Sequence, residues 1–242
     1  MSALGHYLEE EGIATVAIAL IRPQAENTKP PRALWVPFEL GRPFGPPNDP
    51  AFQKRVILSA LRLLEHESGP VIIEDFADDD PRAQPDPAWR PPLIPATVAT
   101  SSMESLTSQL EAEILLLQHA YRRWVAHHGR STVGLSGLSM TECARYVADW
   151  LRGKAPPSPH DGFSAPLILR FAVDDVKAYC LEAAAAGTAR PSSRQLGDWF
   201  WNATATGAGL YALRRALQAH EDERLRLIIS NFMVPAARIR PD

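Results

Sequence analysis

Ala14-Thr15-Val16-Ala17-Ile18-Ala19-Leu20-Ile21 is a near-continuous apolar run rich in β-branched residues. Its length and composition suit a strand buried on both faces. Downstream, Leu34-Trp35-Val36 is a second short extended candidate, fenced by prolines. Then comes a stiff loop, Gly41-Arg42-Pro43-Phe44-Gly45-Pro46-Pro47-Asn48-Asp49-Pro50. Its prolines fix φ and hold the residues ahead of them out of the helical region. The loop ends in a helix start. Asp49 caps, Pro50 takes the first helical position, and Phe52, Val56, Ala60 and Leu63 follow on one face. Gly69 is the expected stop. Val71-Ile72-Ile73 then reads as a short buried strand running into Glu74 and Asp75. A right-handed β-α-β crossover makes such strands parallel.

Outward from this α/β segment the pattern changes twice. Residues 77–102 carry acidic, proline and Ser/Thr content without periodicity, and read as a linker. From residue 103 to 242 the period is helical. Leu106, Leu110, Ile114, Leu117, Tyr121 and Trp124 form one stripe, stopped by Gly129. Ser139-x-x-Glu142 and Ser192-x-x-Gln195 are capping boxes. A helix is expected to open at Asp174 and run to Gly187. A long pattern follows from Leu196 to Leu217, and a last segment from Leu225 to Phe232. The expectation is a small α/β segment (1–76), then five helices in a bundle-like domain.

Bulk composition sets limits on function. The chain has 242 residues, 45 % hydrophobic and 22 % charged, which suffices for a sizeable core. The formal net charge of -3 gives no general attraction for nucleic acid or an anionic membrane. Of 22 prolines, 15 lie between Pro23 and Pro95, so proline content divides the chain as the periodicity does. The longest apolar run, Ile13 to Ile21, falls far short of the ~20 residues of a membrane span. Glu9, Glu10 and Glu11 do not suit a secretory signal. Cys143 and Cys180 are too few for a disulfide framework, and they read as reduced core thiols. These features point to a cytoplasmic protein.

Candidate chemistry gathers in the first segment. Arg22 and Glu26 follow the first strand, where α/β folds place ligands. Glu74 and Asp75 end the later strand, so they are expected to face the same crevice. A carboxylate there suits a general base. Arg22, Arg32 or Arg42 suits a bidentate clamp on a carboxylate or phosphate. The bland reading of the same arginines is that they bond loop carbonyls and hold the loop in shape. In the helical region, Asp198-Trp199-Phe200-Trp201-Asn202 is the densest aromatic patch, and Trp201 is a candidate ligand wall. His119, His127 and His128 lack metal-ligand spacing, so no metal is expected. Gly207-Ala208-Gly209 lacks a dinucleotide-site context and reads as close helix packing or a kink. No motif names a cofactor.

One resemblance adds to this. The segments Gly12-Ile13-Ala14-Thr15-Val16, Pro30-Pro31-Arg32-Ala33-Leu34-Trp35-Val36-Pro37-Phe38 and Gly41 to Pro50 are similar to the selenoprotein B family, especially its short stand-alone members. That family holds substrate-reducing subunits of the glycine, sarcosine, betaine and D-proline reductases. The likeness covers about residues 8 to 76. It implies an α/β fold and, by analogy, reductive cleavage of a C–N bond by a redox thiol or selenol. Residues 1 to 142 contain no cysteine, so the nucleophile of that pattern has no counterpart here.

Two functions follow as expectations. One is an oxidoreductase acting on a small amino-acid or amine substrate. Its chemistry would come from carboxylates, a bound cofactor, or Cys143 or Cys180. The other is a non-catalytic binding or accessory subunit whose Pro/Arg loop recognises a partner protein.

Overall fold

The computed structural model describes residues 2–66, 69–92 and 102–239. The chain divides into two compact units, residues 1–84 and 85–242.

The first unit is a three-stranded parallel sheet with helical crossovers. Its elements are α1 (Ser2–Glu10), β1 (Ala17–Ala19), α2 (Arg22–Thr28), β2 (Arg32–Trp35), α3 (Pro50–Arg62) and β3 (Ile72–Asp75). Strand order is β1-β2-β3, with Ala17 opposite Ala33 and Ala33 opposite Ile73. The strand expected over residues 14–21 is shorter and only half-buried. The central strand, β2, is instead the one buried on both faces, through Ala33 and Leu34. An edge strand has a neighbour on one side only, which explains the exchange. The residues directly after β1, to which no element was assigned from sequence, form α2. Pro23 fits its first turn and Lys29 ends it at φ 46°. α3 starts as expected, with the Asp49 carboxylate accepting from Phe52 N at 3.0 Å. It ends at Arg62, before Gly69, in a tight turn over Leu63–Glu65.

The core of this unit is aromatic at one end. Phe38, Phe52 and Phe76 pack with centroids 5.5 to 5.9 Å apart, alongside Leu34, Val36 and Val56. Three rings at such distances and tilts add roughly 0.5–1.5 kcal/mol per pair beyond their buried area.

The second unit is helical. It comprises α4 (Met103–His128), α5 (Met140–Leu151), α6 (Ala165–Ala184), α7 (Ser193–Ala203), α8 (Ala205–Leu217) and α9 (Glu223–Ile228), which continues as a π turn over Ile229–Met233. Leu110, Ile114 and Leu117 of α4 meet Val147 and Trp150 of α5, Leu169 and Val173 of α6, and Leu210 and Leu213 of α8. Both capping boxes form.

Two expectations are corrected. α6 opens at Ala165 rather than Asp174, because Pro166 suits its first turn, so Asp174 and Asp175 lie inside it. The pattern from 192 to 217 is two helices, broken at Thr204 (φ -114°, ψ 146°). A Cβ at Gly207 would sit 2.2 Å from the Phe200 carbonyl oxygen, and one at Gly209 would sit 3.1 Å from Leu110. Both glycines therefore serve packing at the break. Six α-helices stand among the described residues of this unit, where five were expected.

The stretch read as a linker is partly built into the helical unit. Trp89 Nε1 donates to Ala184 O at 3.1 Å, and Gln195 Nε2 donates to Asp86 O at 2.9 Å. Residues 93–101 of that stretch lie outside the described residues. Among the described residues no helix is long and apolar enough to cross a membrane.

Candidate functional site

At the C-terminal edge of the sheet, Arg22 opens α2 directly after β1, and Asp75 closes β3. The two strands flank β2, so Arg22 reaches across the end of the central strand. Its Nε lies 3.1 and 3.3 Å from the two Asp75 oxygens. Its other arm pairs with Glu26, one turn along α2. The structure thus brings Arg22, Glu26 and Asp75 together. One guanidinium between two carboxylates is already satisfied, and the group carries a net negative charge. It is a poor clamp for an anion. All three side chains are 40 % or more exposed, so each pair contributes only about 0–1 kcal/mol.

Glu74 and Arg32 do not join this group. Successive strand residues point to opposite faces, so Glu74 leaves the sheet on the side away from Asp75 and meets His66 Nε2 at 2.9 Å. Arg32 begins β2, at the opposite edge, and donates to Glu9 Oε1 at 2.5 Å. Glu9 also accepts from Thr15 N at 2.7 Å and Thr15 Oγ1 at 3.0 Å. The hydrogen bond from Arg32 does most to hold the Glu9 carboxyl below its usual range. This knot fastens α1 to the start of the sheet.

Arg42 stands on the proline-rich loop, apart from all of these. The loop is clamped from beneath. Gly45 has φ +83°, and a Cβ there would lie 2.5 Å from the Phe52 ring. Arg42 N donates to Glu39 O and Gly45 N to Arg42 O, both at 3.0 Å. Gln53 Nε2 holds Pro46 O at 2.9 Å. On this fixed frame Leu40 is 73 % exposed, Phe44 40 % exposed, and Arg42 is exposed. The Arg42 side chain has no hydrogen bond or ion pair among the described residues. Sequence reasoning picked out Arg42 and missed Leu40 and Phe44. The signal was present: two large apolar residues inside a run of Gly and Pro that cannot bury them.

In the helical unit Trp201 is buried, 4.8 Å from Phe200 and 5.3 Å from Tyr211 between ring centroids. It is a core side chain of that unit and lines no open surface there. Both cysteines are buried and unpaired. Burial pushes the Cys143 thiol up to about 11, and pushes Cys180 up further still. Ser136 Oγ commits its proton to Asp175 Oδ2 at 2.6 Å, so Cys143 Sγ, 3.2 Å away, is left to donate to Ser136. A neutral donating thiol is not a nucleophile.

Sequence reasoning also missed three carboxylates that receive backbone N–H groups. Asp175, fully buried on α6, accepts from Gly134, Leu135 and Ser136 N at 2.7 to 2.9 Å. Glu182, two turns on, accepts from Thr132 N at 2.8 Å and Ser131 Oγ at 2.7 Å. Glu113 of α4 accepts from Ala205 and Thr206 N at 2.7 and 2.8 Å, and so caps α8 from another helix. Three successive N–H groups form a concavity that takes an anion. Here the anion is the chain's own Asp175, so the site is filled from within. Among the described residues no His, Cys, Asp and Glu side chains gather into a set able to hold a metal ion.

Comparison with known proteins returned no matching family model, no matching curated protein and no matching solved structure.

Proposed function

We propose that this chain is a non-catalytic binding or accessory protein, and that its first unit recognises a partner protein through Leu40, Arg42 and Phe44. The observation that carries this is the clamped loop. Its backbone is fixed by Gly45, Gln53 and the Phe38–Phe52–Phe76 cluster, yet it presents outward two apolar side chains and a guanidinium that has no partner among the described residues. A preordered aromatic–Arg–aliphatic group binds with little loss of freedom and has the composition of an interface anchor. The complementary partner surface is an apolar pocket with a carboxylate at its rim. Two unpaired buried thiols suit a reducing compartment, and the cytoplasm is the proposed location.

A photo-reactive phenylalanine analogue at position 44 tests this. In cells of the source organism it should cross-link to one defined protein, and the same probe at Lys54 should not. Equal labelling of many proteins from both positions overturns the reading.

A second reading keeps the reductase resemblance, with a small amino-acid or amine substrate at the sheet edge beside Arg22. Its support is the position of Arg22, Glu26 and Asp75 at the carboxyl ends of parallel strands. In its thiol form it requires Cys143 or Cys180. Turnover that survives Cys143→Ala and Cys180→Ala together removes that form.

A further inference from the structure

Two exposed helix faces carry complementary surfaces whose charges form no ion pair among the described residues. α1 uses one face internally. Ser2 Oγ meets Thr28 Oγ1 at 2.9 Å, His6 Nε2 meets Lys29 O at 2.7 Å, and Glu9 holds Arg32. The opposite face presents Leu4 (53 % exposed) and Tyr7 (68 % exposed), with exposed Glu10 on its flank and exposed Glu11 just past the helix end. Neither Glu10 nor Glu11 forms an ion pair among the described residues. They stand at the C-terminal end of α1, where the helix dipole disfavours negative charge. An unpaired acidic end of this kind calls for a cation from elsewhere.

α4 offers one. Its inner face is Leu110, Ile114, Leu117 and Ala120. Its outer face presents Leu115 (60 % exposed) and Leu116 (69 % exposed), followed by exposed His119, Arg122 and Arg123. Neither arginine forms an ion pair among the described residues. The spacing matches. Leu4 and Glu11 are seven positions apart, and so are Leu115 and Arg122. Seven helical positions rise about 10 Å. Laid side by side in the same direction, the faces put apolar on apolar and glutamate on arginine.

We propose that the chain self-associates head to tail, with α1 of one copy docked on α4 of a second copy. The contact is heterologous, so it leaves one free face at each end and supports growth beyond a dimer unless a ring closes. It joins one short helix to one face of another, which places it among weak, transient contacts. Its charged half is exposed, so salt weakens it. It uses different residues from the Leu40–Phe44 loop and stands or falls separately from that proposal.

Sedimentation velocity on the full chain tests it, from about 10 to 500 µM, at low and high salt. The expected result is a mass that rises with concentration and falls back with salt. Glu10→Lys with Glu11→Lys, and Arg122→Glu with Arg123→Glu, should each weaken association roughly ten-fold or more. An equimolar mixture of the two charge-reversed proteins should associate again, because each supplies what the other reversed. Should a reversal disturb folding, Tyr7→Ser provides the same loss from an exposed position. Leu40→Ser with Phe44→Ser should leave association unchanged. A monomer mass throughout, association of either reversed protein as strong as wild type, or a mixture that stays monomeric overturns the proposal.

Discussion

The two units treat charge in opposite ways. The helical unit closes backbone N–H groups on carboxylates, on buried Asp175 and Glu182 and on half-buried Glu113. The α/β unit pairs Glu9, Glu26, Asp75 and Asp78 with arginines at or near its surface, and derives its rigidity from aromatic packing, glycine geometry and proline. The difference teaches where function can reside. A buried acid held by backbone groups is structural, and altering it disturbs the whole unit. An exposed cation on an independently clamped loop can be changed without touching the fold.

Asp175→Ala should have the largest effect. It leaves four donors without their acceptor, the two of Ser136 in the buried interior, each worth about 1–3 kcal/mol and not fully additive. The expected loss is about 3–5 kcal/mol. Urea unfolding followed by helical circular dichroism measures it. A loss below about 1 kcal/mol would erase the contrast between the units.

Gly45→Ala comes next. It combines a positive φ with a Cβ driven into Phe52, for an expected loss of about 1–3 kcal/mol. Trp35 is the one tryptophan in the first unit, so its fluorescence reports this transition. An unchanged midpoint would mean that the loop is not clamped from beneath.

The Glu9 knot gives a pH test. Its carboxyl titrates lower in the folded state than the ordinary 4.5, chiefly through the Arg32 hydrogen bond. The unfolded state therefore binds the proton first. The contribution is complete above the ordinary value and is lost as pH falls through the lowered one. Glu9→Gln should flatten that acid-side loss in the Trp35 transition. The same slope in both proteins would show that another group controls it.

Arg22→Ala should have the smallest effect, less than about 1 kcal/mol, because both its partners are solvent-exposed. A larger loss would mean that the strap across the sheet edge holds the strands together, and the surface-pair account of this unit would need sharpening.

What sequence made legible was local. The Asp49–Pro50 start, the Ser139–Glu142 and Ser192–Gln195 boxes and the stripe of α4 need only neighbours in the chain, and all formed. What it hid was held by distant partners. The break at Thr204 is matched by Glu113, 92 residues before Ala205, closing the first turn of α8. Asp175 drew no reading from sequence because its acceptor role depends on Gly134 to Ser136, about 40 residues away. Arg22 and Asp75 were placed at strand ends from sequence, yet their pairing needed the strand order, which puts β2 between them. Glu74 was misplaced because one residue along a strand changes the face. Trp201 stood in an aromatic run, and nothing local distinguishes a ligand wall from a core ring.

In the proposed function the loop acts through the side chains it presents. The direct measurement is partner recovery from source cells with tagged wild type and with Leu40→Ser, Arg42→Glu and Phe44→Ser combined, at matched unfolding midpoints. Recovery of the defined partner should fall at least about ten-fold with the triple variant. Equal recovery by both proteins would contradict the account.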